Sequence, residues 1–205
     1  MTGRWPVELK DRHTGACVPA VLIERVDPPT AATAEKAWIS VFDEEKARRQ
    51  SSAKTNSSNP QHAHWRWAEK VEITFNILTF QTLGIESEGQ IQGLMLVRTA
   101  GVYCRHHTQH GAPQVYVELV ASAPWNLPSV VERPRFAGVG DLLIRAAIEL
   151  SIDFEFKGRI GLHSLPQSES WYEDKCGMLC LGLDAEKQNL KYYEMTPAGA
   201  EAFLR

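Results

Sequence analysis

Residues 140–151 (GDLLIRAAIELS) constrain the fold more than any other part of the sequence, because they read as a clear amphipathic helix. The apolar residues of this segment, among them Leu143 and Ala147, recur at three- and four-residue spacing and fall on one helix face. Strand-like runs precede the segment at 115–122 and follow it at 159–164. This alternation predicts a mixed α/β sheet.

Further strand and helix patterns occupy most of the remaining chain. Short runs rich in β-branched and aromatic residues predict strands at 17–26, 75–83, 90–99, 179–183 and 191–195. Helices are predicted at 31–49, 64–71 and 168–175, with a short helical turn after residue 196. The segments 50–64 and 127–134 lack apolar periodicity and are predicted as irregular loops. We expect a single domain over residues 1–205.

The composition is that of a folded chain, with 43% hydrophobic and 23% charged residues. No apolar run approaches the roughly 20 residues that span a bilayer, and the first residues lack the apolar stretch of a signal peptide. We therefore expect a cytoplasmic protein with no membrane partner. The net charge is -3. Because nucleic-acid-binding proteins neutralise phosphates with a basic surplus, this charge argues against a nucleic-acid partner.

The cysteine and histidine residues raise the question of a metal site. In a cytoplasmic protein the four cysteines are expected as reduced thiols; they are Cys17, Cys104, Cys176 and Cys180. The segment 104–110 (CRHHTQH) holds enough soft ligands for zinc, but no second ligand pair follows at finger-like spacing. The segment also falls between two strand-like runs, where a polar loop is expected. We expect no metal.

A pair of glycines stands where the amphipathic helix begins, in the run 135–140 (RFAGVG). The first turn of a helix leaves backbone N–H groups unpaired and carries partial positive charge. Glycines there let a pyrophosphate approach the backbone, since no Cβ blocks it. The pattern therefore predicts an anion site, although taken alone it is also compatible with a simple tight turn.

A second motif, 171–178 (WYEDKCGM), follows the next strand. It resembles the aromatic-Tyr-Glu-x-Lys-x-Gly-(Phe/Met) helix end of the GNAT acetyltransferase superfamily, and the glycine run resembles the pyrophosphate loop of that family. The two motifs occur in the family's order and spacing, and the resemblance covers residues 90–195. It implies a GNAT-type mixed, mostly antiparallel central sheet flanked by helices, with a V-shaped opening between two central strands.

The resemblance also implies the cofactor and its contacts. Acetyl-CoA, or another acyl-CoA, would lie in the opening between strands 115–122 and 159–164. The loop would donate hydrogen bonds to its pyrophosphate, and a backbone N–H would polarise its thioester carbonyl. The residues implied are Val120 and Ala121 at the thioester, Arg135 beside the cofactor, and Phe136, Ala137, Gly138, Val139 and Gly140 at the pyrophosphate.

Two catalytic roles follow from the resemblance. Tyr172 matches the position of a phenol that protonates the departing CoA thiolate, and a tyrosine stays protonated at neutral pH; the alternative is a ring that only packs on the sheet. The substrate ammonium must also lose a proton. Glu118 is the first candidate base, directly or through water, unless its strand turns it away from the cleft. His163 is the second candidate, although a lone strand histidine is more often structural.

The acceptor side is less defined. By the resemblance, residues 1–89 form the acceptor half and residues 90–205 the cofactor half. The acceptor pocket would include Trp38, Phe42, the 50–64 loop and Trp65. Their aromatic rings suit a flat or apolar acceptor and equally suit core packing.

Two departures from the family pattern affect cofactor placement. The insertion 127–134 lengthens the link between the central strand and the glycine loop. Trp125 and Asn126 begin this insertion, where they either line the cofactor cleft or anchor the loop. The run 165–167 (LPQ) stands where many members carry an asparagine beside the pantetheine.

The sequence thus predicts an N-acetyltransferase that acts on an amine of a small molecule or a protein. Two alternatives remain open at this point. One is a toxin-like enzyme that acetylates aminoacyl-tRNA, which the acidic charge balance disfavours. The other is a non-catalytic module that binds CoA. Family members are often dimers, so a homodimer is an open alternative to a monomer.

Overall fold

Nine strands and five helices make up the described part of the chain. A computed structural model describes residues 3–51 and 60–205. The strands are β1 (Arg4–Asp11), β2 (Cys17–Ile23), β3 (Phe80–Ser87), β4 (Gln90–Arg98), β5 (Val115–Ser122), β6 (Phe136–Ala137), β7 (Ile160–Ser164), β8 (Leu179–Asp184) and β9 (Leu190–Glu194). The helices are α1 (Pro28–Ser51), α2 (Trp67–Thr74), α3 (Val139–Asp153), α4 (Glu169–Asp174) and α5 (Pro197–Leu204), and a 3₁₀ turn spans Pro124–Asn126.

All nine strands belong to one mostly antiparallel sheet, in the order β6-β1-β2-β3-β4-β5-β7-β9-β8. Strands β5 and β7 pair in parallel, with α3 in the connection between them, as a parallel crossover requires. The mixed, mostly antiparallel sheet with helices that the sequence predicted is confirmed. Within residues 3–51 and 60–205, no helix has the length and apolar content needed to cross a membrane.

The chain divides into two compact units. The first consists of the described residues of Met1–Leu78, Thr82–Met95 and Val120–Leu143. The second consists of Thr79–Gln81, Leu96–Leu119 and Ile144–Arg205.

In the first unit, helices α1 and α2 are joined by a buried carboxylate. The Oε2 atom of Glu35 accepts the backbone N–H of Ala68 at 2.8 Å, which satisfies one of the donors that the start of α2 leaves unpaired. Trp38 and Trp67 are buried beside this contact, with ring centroids 6.4 Å apart. The indole N–H of Trp38 donates to the carbonyl oxygen of Ile91 at 3.3 Å and so attaches α1 to β4.

In the second unit, the main part of α3 supplies the core. Its residues Ile144 and Ile148 are fully buried, as are Ile160 of β7 and Tyr193 of β9. The hydroxyl of Ser151, near the end of α3, donates to the carbonyl oxygen of Arg159 at 2.7 Å and fixes the helix end to the start of β7.

Some elements differ from the sequence prediction. Strand β1 was not predicted, although Trp5, Val7 and Leu9 alternate along it, because Pro6 inside this short run argues against a strand. Strand β6 has only two residues, too few to leave a pattern. The strand predicted at 75–83 was placed too early: α2 runs to Thr74 and a turn follows, so β3 begins at Phe80. Of the loop predicted at 50–64, residues 52–59 lie outside the described part.

Candidate active site

The insertion before the glycine loop is anchored by a buried polar network in the first unit. The side chain of Gln92 in β4 is fully buried, and its Oε1 accepts the indole N–H of Trp125 at 2.7 Å and the amide Nδ2 of Asn126 at 3.0 Å. The Oδ1 of Asn126 accepts the backbone N–H of Phe136 at 3.0 Å, and the N–H of Arg135 donates to the carbonyl of Trp125 at 2.9 Å. These bonds tie both ends of the insertion together, so Trp125 and Asn126 anchor the loop.

The glycine loop leads into α3 in the geometry of an anion site. Gly138 has a φ of +89°, a conformation that residues with a Cβ rarely adopt. The first intrahelical bond runs from the N–H of Leu142 to the carbonyl of Gly138 at 2.9 Å. The N–H groups of Val139 and Gly140 therefore have no acceptor within the helix. A Cβ placed on Gly138 would meet no atom within 4 Å, so the space beside the loop is open.

The loop does not offer all the donors that the sequence predicted. The N–H of Phe136 is used by Asn126, and Ala137 pairs with Lys10 of β1. Phe136 and Ala137 therefore position the loop, while Gly138, Val139 and Gly140 remain as the proposed backbone donors. The loop residues divide in this way because Phe136 and Ala137 form β6, a strand that the sequence did not predict.

Arg135 already has a partner. Its guanidinium forms an ion pair with the carboxylate of Glu88 and lies over the ring of Phe136, 4.8 Å from the centroid. The side chain is partly exposed. An anion bound at the loop would compete with Glu88 for this guanidinium, and Arg135 stays a proposed cofactor contact on that basis.

A glycine in β4 brings the proposed thioester contact and the glycine loop together. A Cβ on Gly93 would lie 2.5 Å from Cγ1 of Val139 and 3.2 Å from the carbonyl oxygen of Ala121. The start of α3 can pack this closely on β4 because that Cβ is absent. Ala121 is buried and Val120 is half-buried, so Val120 is the more exposed of these two residues of β5.

In the second unit, the pairing of β5 with β7 ends early. Its register covers Val115–Ile160, Tyr116–Gly161 and Val117–Leu162. Glu118 and Leu119 continue β5 without a partner in β7, although β7 itself runs on to Ser164. The two strands between which the resemblance implied an opening thus stop pairing after Val117 and Leu162.

Tyr172 lies on the short helix α4 and is buried. Its ring contacts that of Trp171, with centroids 5.0 Å apart, and that of Tyr193 at 6.0 Å. The helix ends through Gly177, whose φ of +64° is the left-handed conformation that commonly stops a helix. Burial raises the pKa of Tyr172, so its phenol is protonated at neutral pH. That protonation state is the one a general acid needs.

Glu118 is half-buried and paired with Arg98 of β4, with Oε1 3.1 Å from Nε. The Arg98 guanidinium also lies over the ring of Tyr116, 5.6 Å from its centroid. The ion pair leaves part of the carboxylate surface exposed.

The register of the sheet places Tyr172 and Glu118 on opposite faces. Tyr172 contacts Tyr193, and Tyr193 pairs with Leu162, so these side chains share one face of β7 and β9. Tyr116 pairs with Gly161 and, by alternation, shares the other face with Glu118. Within the second unit, the candidate acid and the candidate base therefore approach the strands from the two sides of the sheet.

His163 faces the same side as Tyr116, but both of its ring nitrogens are occupied. Nδ1 is 2.6 Å from the hydroxyl of Tyr116, and Nε2 is 2.9 Å from Oδ2 of Asp184. The side chain is 5% exposed. His163 thus has no free nitrogen to offer an incoming amine, and it acts on a substrate only through a neighbour.

The histidine-rich segment that raised the metal question is a hydrogen-bonded loop. Glu194 of β9 is fully buried and accepts the backbone N–H groups of Arg105 and His106 and the side-chain amide of Gln109. Burial also raises the pKa of the Cys104 thiol, to about 12. In the described residues, no group of three or more metal-ligating side chains is assembled. None of the four cysteines, all of which lie in the described residues, forms a disulfide bond.

The aromatic residues predicted for the acceptor side form a cluster in the first unit. Trp65 contacts Trp67 at 6.1 Å between centroids, and His62 lies between Trp65 and Phe42 at 5.7 and 6.4 Å. Burial lowers the pKa of His62 to about 4, so this histidine is neutral at neutral pH. Trp38 and Phe42 are buried and serve core packing, whereas Trp65 keeps part of its surface exposed.

Comparisons with known proteins give the fold. No family model matches the sequence, and no curated protein sequence is significantly similar to it. Among solved structures, an uncharacterised protein from Bacillus halodurans is similar with a TM-score of 0.60 at 9% identity, over 97% of this chain and 93% of the other. The aminoglycoside acetyltransferase AAC(6')-Ib, solved with coenzyme A and kanamycin, has a TM-score of 0.54 at 14% identity, over 90% and 99%. The GNAT domain of S. lividans PAT has a TM-score of 0.51 at 12% identity, over 93% and 96%.

Proposed function

On the GNAT fold, which these structures show for the chain, we propose an N-acetyltransferase that moves an acetyl group from acetyl-CoA to an amine by direct attack in a ternary complex. The amine would belong to a small molecule or a protein. The observation that carries the proposal is the loop at Gly138, with unpaired N–H groups at the start of α3. Such a helix start attracts a pyrophosphate. The coenzyme A bound to AAC(6')-Ib supports the same ligand class here.

The loop residues fit the pyrophosphate of an acyl-CoA. Open space lies beside Gly138, and the donors of Val139 and Gly140 are unpaired within the helix. Asp141 in the first turn is an exposed carboxylate, so attraction has to come from the backbone donors and from Arg135. This balance predicts that binding depends strongly on the backbone conformation at Gly138.

The proposed chemistry assigns one proton transfer to each face of the sheet. Glu118 accepts a proton from the substrate ammonium, which leaves a neutral nitrogen able to attack the thioester carbonyl. A backbone N–H near Val120 and Ala121 stabilises the negative charge that develops on the carbonyl oxygen. Tyr172 gives its proton to the sulfur as the C–S bond breaks, and its raised pKa keeps that proton in place until then.

The first test is ligand binding. Acetyl-CoA, longer acyl-CoAs and free CoA are compared in thermal-shift measurements with NAD and ATP as controls, because a ligand of the native state raises the melting temperature. We expect stabilisation by the CoA compounds alone. Gly138→Glu should weaken acetyl-CoA binding by at least ~10-fold in calorimetry, equivalent to ~1.4 kcal/mol. Gly101→Glu is the matched control, since Gly101 also has a positive φ, +73°, and open space around it.

The second test is transfer. Wild-type protein and Tyr172→Phe are assayed for CoA release with spermidine, kanamycin and a lysine-containing peptide as acceptors. We expect turnover with at least one acceptor, and a kcat lower by ~100-fold in Tyr172→Phe. CoA binding without turnover would identify a non-catalytic CoA-binding module. Equal stabilisation by NAD or ATP, or none by any CoA compound, would refute the proposed function.

A further inference from the structure

Four side chains of the second unit form a continuous hydrogen-bonded chain that has no role in the acetyl transfer described above. The hydroxyl of Tyr116 is 2.6 Å from Nδ1 of His163, and Nε2 of His163 is 2.9 Å from Oδ2 of Asp184. The same Oδ2 accepts from the guanidinium of Arg105 at 2.6 Å. Tyr116 is buried and so is the side chain of His163, whereas the side chain of Arg105 is half-exposed. The chain therefore leads from the interior of the sheet face to the surface.

The partners fix the position of each proton. A carboxylate only accepts, so the Asp184 contact places the ring proton of His163 on Nε2. Nδ1 then carries the free lone pair and accepts the hydroxyl proton of Tyr116. Tyr116 therefore donates to His163, and His163 donates to Asp184. With its own proton directed at His163, the tyrosine oxygen can accept a proton from a substrate.

The charges around the chain keep it in this state at neutral pH. Hydrogen bonds from Arg105 and His163 hold the pKa of Asp184 at about 2, so it is ionised. Burial lowers the pKa of His163. The positive charges of Arg105 and Lys187 lower it as well, whereas the carboxylate of Asp184 raises it. The imidazole is therefore neutral.

The other groups that face the chain are aromatic or already paired. The ring of Tyr192 packs on the ring of His163, with centroids 4.8 Å apart, and its own hydroxyl is bonded to Gln114. Glu118 and Arg98 lie beside Tyr116 as an ion pair. They balance each other's charge at the tyrosine end of the chain.

The number of protons that leave the amine nitrogen calls for a second proton acceptor beside Glu118. An ammonium carries three protons on nitrogen and the amide product of acetyl transfer carries one, so two protons leave the nitrogen in each turnover. A single carboxylate stores one proton at a time. Glu118 takes the first, before attack, and the second leaves after the new C–N bond has formed.

We propose that Tyr116, His163 and Asp184 accept this second proton. The inference rests on the proposed acetyl transfer. Once the C–N bond has formed, the second N–H bond of the attacking nitrogen breaks and its proton goes to the Tyr116 oxygen, while the hydroxyl proton of Tyr116 goes to Nδ1 of His163. Asp184 stabilises the imidazolium. Glu118 and the imidazolium later return their protons to solvent, and Tyr172, which has given its proton to the CoA sulfur, takes one back, so each turnover releases one proton in total. Tyr116 is the residue that touches the substrate, and His163 and Asp184 act through it.

The position of Tyr116 supports this role. Its pair with Gly161 stands one residue before the β5–β7 register ends, and Glu118 follows it on the same face of β5. Both proton acceptors therefore lie on one side of the strand, opposite the face that Tyr172 contacts through Tyr193.

The test compares variants that each lose one feature of the chain. Tyr116→Phe removes only the hydroxyl, and His163→Gln keeps polar atoms but cannot become an imidazolium. Tyr192→Phe is the matched control, because Tyr192 is equally buried on the same face and its hydroxyl lies outside the chain. For each protein, the melting temperature, the KM for acetyl-CoA and kcat are measured with the best of the three acceptors named above. The pH series for kcat extends well below 6.5, because burial lowers the pKa of His163 from that value.

We expect kcat to fall by ~100-fold in Tyr116→Phe and His163→Gln, with the KM for acetyl-CoA within ~2-fold of wild type. The part of the acidic decline of kcat that protonation of His163 causes should be absent in His163→Gln and present in Tyr192→Phe. Tyr192→Phe should keep kcat within ~2-fold. A kcat and pH profile in Tyr116→Phe equal to those of Tyr192→Phe would overturn the inference while leaving acetyl transfer intact. A wild-type protein that neither binds acetyl-CoA nor acetylates any acceptor would instead refute the proposed function, and the inference with it.

Discussion

Replacing Asn126 by alanine tests the anchoring of the glycine loop directly. Asn126 is 5% exposed and accepts the N–H of Phe136 at 3.0 Å, while its own amide donates to Oε1 of Gln92 at 3.0 Å. Each such bond contributes ~1 kcal/mol net, and a buried donor left without a partner costs ~1–3 kcal/mol. The Gln92 oxygen keeps its bond from Trp125. We therefore expect Asn126→Ala to lower the free energy of unfolding by ~2–4 kcal/mol.

The assay is urea unfolding followed by tryptophan fluorescence. A lower midpoint with an unchanged slope reports a change in stability rather than in the denatured state. Asn76→Ala is the matched control, because Asn76 is an exposed asparagine of the same unit and should change stability by ~0.5 kcal/mol or less. Acetyl-CoA binding, if the proposed function holds, should weaken in Asn126→Ala alone. Equal midpoints for the two variants would show that the network does not hold the loop.

Two further predictions concern the side chains of Asp184 and Arg49. Asp184 has its pKa lowered from 3.8 to about 2, chiefly by the hydrogen bond from Arg105, so it stabilises the fold above about pH 4 and loses this effect as the pH falls toward 2. The melting temperatures of wild type and Asp184→Asn should therefore differ at pH 6 and converge near pH 2; a constant difference would contradict this. Arg49 donates to the carbonyl oxygens of Ser129 and Val130 at 2.6 and 2.7 Å, so Arg49→Ala should speed cleavage after Glu132 by a glutamate-specific protease, while Lys46→Ala should not.

The sheet and its main helix could be predicted because burial leaves a pattern in the sequence. Helix α3, predicted at 140–151 and found at Val139–Asp153, buries one face continuously. Strand β5 was predicted with its observed bounds, Val115–Ser122. Strand β1 escaped prediction because its alternating apolar residues, Trp5, Val7 and Leu9, are few and Pro6, which cannot donate a ladder hydrogen bond, stands among them.

The site was predictable only where backbone conformation requires one residue type. Gly138 and Gly177 mark a loop and a helix end that need a positive φ, and both stood out in the sequence. The hydrogen-bond partners of Asn126 and His163 did not stand out in the sequence. Polar residues such as Gln92 or Asp184 carry no periodicity, and nothing local indicates which distant residue shares a hydrogen bond with them.

The short strand β6 gives the glycine loop a late place in folding. Its two residues pair with Lys10 and Asp11, and the Nε of Arg12 donates to the carbonyl of Phe136, 124 positions along the chain. Contacts between such distant positions carry a large loop-closure entropy, and a two-residue strand offers little to offset it before its neighbours are in place. During refolding, the helical signal should therefore return before the loop acquires its native conformation. A kinetic intermediate with most of the sheet formed would lack the proposed anion site, so the affinity for acetyl-CoA would report the final step of folding.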